Sequence, residues 1–327
     1  MAKRKRGGRG KKASSKSPPR VRKKVSTKRV AQVPPPGGSS PTTVARIQEN
    51  NRERRAIERA IDQEREKKLT AYRARFRTFA AQRTGAAKTI FAEGDSWFNY
   101  PLGSDVIDQL QGLIHTPIAN FAWPGAETRQ LLALHERQEI EKRLNDGPEK
   151  GKKWDVLLFS GGGDDIVGDQ MVLFLTRGAY EPEHPERVLN GRFDEVLDLV
   201  MGAYRDLINL RDHLSPNTLI VGHVYDYAWA TNKGACWLGP WLQPSLNYAL
   251  VPKGDDQHQV MIAMLDRFEA RLREVTNGTK NFLIVPTHKT LHTKEEWANE
   301  LHPKNPGFGL IARKFKDVLQ QHLGSEI

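Results

Sequence analysis

Phe91-Ala92-Glu93-Gly94-Asp95-Ser96-Trp97-Phe98 closes a short apolar run with Gly-Asp-Ser. A serine delivered by a glycine turn at the carboxyl end of a strand stands where doubly wound α/β folds collect their functional groups, which makes Ser96 a candidate nucleophile. On its own the tripeptide is a short pattern, and a serine ahead of a helix is more often an N-cap. Two further segments give it context. One is Ser160-Gly161-Gly162-Gly163-Asp164-Asp165 in mid-chain; the other is Trp297-Ala298-Asn299-Glu300-Leu301-His302-Pro303, ahead of a final helical run.

Outward from Ser96 the chain alternates strands and helices. Short apolar runs bounded by polar or turn residues predict strands at Thr89–Ala92, Pro117–Phe121, Trp154–Ser160, Thr218–Gly222 and Phe282–Pro286. Between them, helices are predicted at Asp105–Leu113, Ala126–Leu144, Phe193–Leu214 and Gln257–Val275, and a last one carries Ile311, Phe315, Val318 and Leu319 on one face. Strands joined by helical crossovers imply a parallel sheet covered on both faces. Ser96, Gly125, Asp164 and His223 each follow a predicted strand, so four segments converge on one rim.

The ordered set, with Gly94-Asp95-Ser96 first and Leu301-His302-Pro303 last, resembles the SGNH hydrolases, also called GDSL esterases and lipases. Gly94-Asp95-Ser96-Trp97-Phe98 lacks the second glycine of the Gly-x-Ser-x-Gly elbow that marks ordinary α/β-hydrolases. The resemblance covers roughly residues 88–323 and implies a three-layer, flavodoxin-like fold with a five-stranded parallel sheet. It also implies ester hydrolysis through an acyl-enzyme, with Ser96 as nucleophile and His302 as general base and acid, and no cofactor. Where the family has an aspartate to orient the histidine, this chain has Asn299. An asparagine fixes an imidazole by a hydrogen bond but gives no charge to an imidazolium; a backbone carbonyl is the alternative partner, and Glu300 is out of register with the motif. The family's oxyanion donors map to the Ser96 N–H, to Gly125 and to an asparagine whose place is taken by Asp164. An ionised Asp164 would repel an oxyanion, whereas a protonated one donates to it, and burial beside another acid raises a carboxyl pKa. The three glycines before Asp164 read equally well as a tight turn with Asp164 or Asp165 capping a helix.

Composition adds a second theme. The net charge of +12 is carried by the amino-terminal end: residues 1–45 hold fourteen Lys or Arg and no Asp or Glu, leaving 37 basic against 39 acidic residues elsewhere. Residues 1–43, rich in Lys, Arg, Ser, Gly and Pro, are expected to be disordered. They suit either non-specific contact with nucleic acid or another polyanion, or a solubilising role. Residues 44–87 form a charged helical segment in which Leu69, Tyr72, Phe76 and Phe79 are spaced to lay the carboxyl half on the body, residues 88–327. The amino half is expected to project as a solvated charged helix or to pair with another chain. No run of eighteen apolar residues and no secretory signal is evident, so a cytoplasmic location is expected. The single Cys236 excludes an intrachain disulfide and is expected to fill a loop or the core.

Two insertions, about 169–191 and 223–256, are expected to shape the substrate cleft. The second carries Tyr225, Tyr227, Trp229, Trp237, Trp241 and Tyr248, suited to line a cleft for an acyl chain, aryl group or sugar face, or to pin the loop as a hydrophobic cluster. A small-molecule or carbohydrate ester is thus the expected substrate. His223, His258, His288 and His292 form no recognisable metal motif, and no metal is expected. Two competing functions are a weakly or non-catalytic binding protein tethered by its basic tail, and a divalent-metal phosphoesterase built on Asp95, Asp164 and Asp165.

Overall fold

The computed structural model describes residues 41–82, 87–149, 151–235, 238–324 and 327. Residues 1–40, Cys236 and Trp237 lie outside the described residues, and with them nearly all of the predicted basic tail.

Five strands form one wholly parallel sheet: β1 (Ile90–Gly94), β2 (Ile118–Asn120), β3 (Val156–Ser160), β4 (Leu219–His223) and β5 (Phe282–Val285), in the order β2-β1-β3-β4-β5. Every residue of β1, β3 and β4 is buried. Strands covered on both faces need no polar alternation, which is why each reads in the sequence as a continuous apolar run. The helices are α1 (Pro41–Ala81), α2 (Val106–Gln111), α3 (Thr128–Leu131), α4 (Leu134–Asp146), α5 (Gly163–Ile166), α6 (Gly191–Leu214), α7 (Gln243–Tyr248), α8 (Asp255–Thr276) and α9 (Asn305–Leu323). They fall into two sets about the sheet: α2 packs on α9, while α6 packs on α3, α4, α5 and α8. This is the three-layer, flavodoxin-like arrangement expected. Among the described residues no helix is long and apolar enough to cross a membrane.

The strand order places the site. After β1 the chain runs outward to β2 and then crosses back to β3 on the other side of β1. The crevice beyond the carboxyl ends of β1 and β3 is therefore the switch point where open α/β sheets bind ligands. Ser96 follows β1 and the Gly161–Asp165 turn follows β3.

One predicted element is corrected. Ala126–Leu144 is not a single helix but two, α3 and α4, because Ala133 is extended (φ −70°, ψ 162°). The Leu131-Leu132-Ala133-Leu134 run has good helix propensity, yet tertiary bonds decide. The Thr128 N–H and Oγ1 both donate to Asp165, each at 2.8 Å, and Glu127 with Gln130 forms a capping box around the short α3. In the carboxyl half of α1, Tyr72 and Phe76 are buried and stack on each other, Tyr72 packs against Trp154, and Leu69 and Phe79 pack on the same core, as the spacing predicts. Burial of each aromatic is worth about 1.5–3 kcal/mol.

Candidate active site

Gly94 permits the turn that presents Ser96. Its φ is +148°, and a Cβ there would lie 2.3 Å from the Ser160 carbonyl oxygen, so β1 and β3 could not approach with any larger residue. The Asp95 N–H donates to that same carbonyl at 3.1 Å, and no helix follows Ser96; its segment is a hydrogen-bonded turn closed by Phe98 N–H to Asp95 O. Ser96 is therefore not an N-cap.

His302 arrives from the other end of the chain in a closed loop. Trp297 and Pro303 form an antiparallel bridge, the Ala298 N–H donates to His302 O at 2.9 Å, and the Lys304 N–H to Glu296 O at 2.8 Å. The Trp97 indole N–H donates to Leu301 O at 3.0 Å, pinning the neighbour of Ser96 to the neighbour of His302. His302 Nε2 lies 2.7 Å from Ser96 Oγ, and both residues are buried.

Which imidazole nitrogen carries the proton follows from the surrounding network. Asn299 Oδ1 accepts from the backbone N–H groups of Leu301 and His302, both at 2.9 Å. Backbone N–H groups only donate, so the oxygen of the amide is on this side. His302 Nδ1, 3.0 Å from the same Oδ1, must then be the protonated nitrogen, leaving the Nε2 lone pair to accept the Ser96 hydroxyl proton. Asn299 Nδ2 donates to Tyr100 Oη at 3.0 Å, and the Tyr100 ring stacks on His302 at 4.1 Å. Burial pushes the His302 pKa down to about 3, so the ring is neutral at pH 7. The asparagine thus holds His302 in the tautomer protonated at Nδ1, and no backbone carbonyl is needed for it.

Behind Ser96 runs a buried polar chain. The Ser160 hydroxyl donates to Asp95 Oδ1 at 2.7 Å, the Trp97 N–H donates to the same oxygen at 2.9 Å, and the Tyr225 hydroxyl donates to Oδ2. Tyr225 Oη accepts in turn from the Gly163 N–H at 2.9 Å. His223, predicted on the rim, instead faces inward with Nε2 2.8 Å from Ser160 Oγ, and burial lowers its pKa to about 3. Gly162 makes the turn after β3: its φ is +105°, and a Cβ would meet Phe268 at 2.6 Å.

Asp164 and Asp165 do not cap a helix; they lie in the first turn of α5, whose N-cap is Gly162. Asp165 is spent on Thr128. Asp164 is different, because its buried Oδ2 has no hydrogen-bond partner among the described residues. Burial, followed by the nearby Asp95 and Asp165, raises its pKa well above the ordinary carboxylate range. Asp95 is also raised by burial but keeps three donors, so Asp164 is the member of the pair that holds the proton. With Asp95 and Asp165 turned to protein donors, these three acids do not form a cation-ligating set.

Ser96, Asp95 and Asp164 border a cavity of about 40 Å³ whose remaining wall includes Ile166, Val167, Met261, Leu265, Trp297 and Leu301. Asp164 and Val167 also border an adjoining open hollow of about 430 Å³, lined by Gly125, Glu127, Asp169, Gln170 and Trp241. The structure thus brings Gly125 to the rim beside Asp164, with a φ of +75° and open space around its Cα. Of the aromatic insertion, Tyr225 lines the cavity and Trp241 the hollow. Trp229 stacks on His258 at 3.6 Å, and Tyr248 is exposed. The segment therefore both lines the cleft and pins itself.

Sequence reasoning missed Glu300. Fully buried, it accepts from the backbone N–H groups of Asn232 (3.0 Å), Trp241 (2.5 Å), Leu242 (2.7 Å) and Gln243 (3.2 Å). Being out of register with the histidine was the available signal that it serves something else.

No family model and no curated protein matches the chain. Among solved structures it is similar to the lipase Lip_vut3 from goat rumen metagenome, at 16% identity and a TM-score of 0.47 over 71% of this chain and 97% of that one. It is also similar to a family 3 carbohydrate esterase of Clostridium thermocellum (14%, TM-score 0.42, 72% and 98%) and to an extracellular lipase of Streptomyces rimosus (16%, 0.42, 69% and 99%).

Proposed function

We propose that the chain is a serine-dependent hydrolase of acyl or acetyl esters. The observation that carries the proposal is the Ser96 Oγ to His302 Nε2 contact of 2.7 Å, with Nδ1 held by Asn299 Oδ1. Ser96 Oγ attacks the acyl carbon as its proton passes to His302 Nε2. Charge on the carbonyl oxygen is met by the Ser96 and Gly125 N–H groups and by the protonated carboxyl of Asp164. Collapse of the tetrahedral intermediate breaks the ester C–O bond, and the leaving alkoxide takes the proton from Nε2. Water then repeats the sequence on the acyl-enzyme, with His302 again the base, and frees the acid and Ser96.

A neutral Asp164 is suited to this task because it supplies a hydrogen bond without a charge that repels the oxyanion. The cavity beside Ser96, about 40 Å³, has room for roughly three water-sized groups. It matches a short acyl group, with the alcohol portion lying in the open polar hollow against Trp241. The test is reaction with a fluorophosphonate probe and mass location of the adduct, compared with Ser96→Ala and His302→Ala. Labelling of Ser96 that depends on His302 is expected. Absence of labelling in folded protein would make the cleft a binding site and overturn the proposal.

A further inference from the structure

Away from this cleft, α8 and the loop after β5 bring together three side chains that the mechanism does not use. Asp266 and Glu269, one turn apart on α8, face His288, and one ligand atom from each lies within 4.8 Å of the others. Among the described residues this is the only such group. The distances are 2.8 Å from His288 Nδ1 to Glu269 Oε2 and 3.7 Å to Asp266 Oδ1.

The histidine points to what the acids hold. Its side chain is only 8% exposed, and Nε2 lies 2.9 Å from Val224 O. A carbonyl only accepts, so Nε2 carries a proton and donates it. Nδ1, buried, makes no hydrogen bond of acceptable geometry despite the proximity of Glu269. With the proton on Nε2, Nδ1 is directed at two carboxylates, so that three potential ligand atoms converge on one point. A histidine fixed through its other nitrogen to a backbone carbonyl is the usual partner arrangement of a metal ligand. Ligand bonds of about 2.1 Å at tetrahedral or octahedral angles separate neighbouring ligand atoms by about 3.0–3.4 Å, between the two distances observed. Supporting contacts complete the shell: the Tyr227 hydroxyl donates to Asp266 Oδ1, its ring lies 4.4 Å from that of His288, and Glu269 Oε1 accepts from Arg273 Nε at 2.7 Å, leaving Oε2 inward.

We infer that Asp266, Glu269 and His288 bind a divalent transition-metal ion of the zinc class, through Nδ1 and one oxygen of each carboxylate. One imidazole with two carboxylates suits zinc better than magnesium or calcium, which take oxygen ligands throughout. The ion fastens α8, whose Met261 and Leu265 line the cavity beside Ser96, to the loop that leads from β5 toward His302. This site stands independently of the ester-hydrolase reading.

The experiment is calorimetric titration of zinc chloride into the full chain after chelator treatment and dialysis, with Asp266→Asn/Glu269→Gln and His288→Ala beside it and melting temperature as a second readout. One saturable equivalent is expected, with affinity at least tenfold weaker in each variant and a zinc-dependent rise in Tm lost in both. If His288→Ala fails to fold, the exposed Asp266→Asn alone decides by the same tenfold criterion. Equal zinc affinity in wild type and variants, or no saturable binding to the wild type, overturns the site. So does an Nδ1-protonated His288 imidazolium seen by nitrogen NMR in saturating zinc.

Discussion

Replacing Asn299 with aspartate tests whether the site runs on tautomer control without charge. The substitution keeps the size and shape of the side chain. The new carboxylate accepts the same bonds from the Leu301 and His302 N–H groups and from Nδ1–H, three donors that favour its ionised form. Tyr100, which accepts from Asn299 Nδ2 at 3.0 Å, rotates its hydroxyl to donate. A carboxylate and an imidazolium about 4 Å apart at an effective dielectric of 20 attract by about 4 kcal/mol, equivalent to about three pKa units. His302 therefore moves from about 3 to about 5–6 once part of that gain is offset by burying the new charge. The assay is kcat/KM against pH on a chromogenic short-chain ester. For the wild type, the acid limb is expected near pH 3, far below the ordinary histidine range. For Asn299→Asp it shifts up by two to three units, and kcat at neutral pH rises about ten- to a hundredfold as the imidazolium gains a counter-charge. The gain stays below the roughly 10⁴ associated with a wrong tautomer, because the wild-type tautomer is already the reactive one. Asn299→Ala, by contrast, strands three donors and is expected to lose 10²–10⁴ in kcat/KM. An acid limb that does not move in folded Asn299→Asp, or an unchanged rate in Asn299→Ala, refutes the reasoning.

Asp164→Asn replaces a donor that exists only while protonated with a permanent one. Since the folded-state pKa is raised, wild-type stability falls as pH rises from the unfolded value near 4 toward the folded value, whereas the donor, and with it the rate, is lost only as pH passes through the folded value. A pH–rate series and parallel denaturant melts should show the alkaline decline flattened in the variant and its stability at pH 7 increased; an unchanged alkaline limb would remove Asp164 from the oxyanion. Glu300→Ala leaves four N–H groups without their anion, those of Leu242 and Gln243 buried, and is expected to cost about 3–5 kcal/mol by urea denaturation, whereas a loss under 1 kcal/mol would show those groups finding other partners. If residues 1–43 serve polyanion contact rather than solubility, their deletion abolishes salt-sensitive retention on immobilised nucleic acid while leaving Ser96 labelling intact; retention unchanged by the deletion removes that role.

The residues that were legible in the sequence are those whose role is local. Strands buried on both faces announce themselves as apolar runs, and Gly94 and Gly162 mark turns that no side chain could occupy. Ser96 and His302 were readable as a pair only through their order and motif, since nothing in the intervening two hundred residues encodes their contact except the fold. The break at Ala133 was hidden because the local sequence favours helix and the bonds that override it come from Asp165. Glu300 likewise looked like a misplaced triad acid until its four partners, about sixty residues upstream, folded around it. Asn299 was legible as an orienter, but the tautomer it enforces is visible only once its oxygen is seen to accept from two backbone N–H groups.

Glu300 has a kinetic corollary. Because one carboxylate, in the loop that carries His302, gathers the amides of Asn232, Trp241, Leu242 and Gln243, those two stretches are expected to open together. Their amide protons should exchange with solvent at one common rate, as a single cooperative unit. Trp241, which lines the open hollow, is thereby joined to the loop that carries His302.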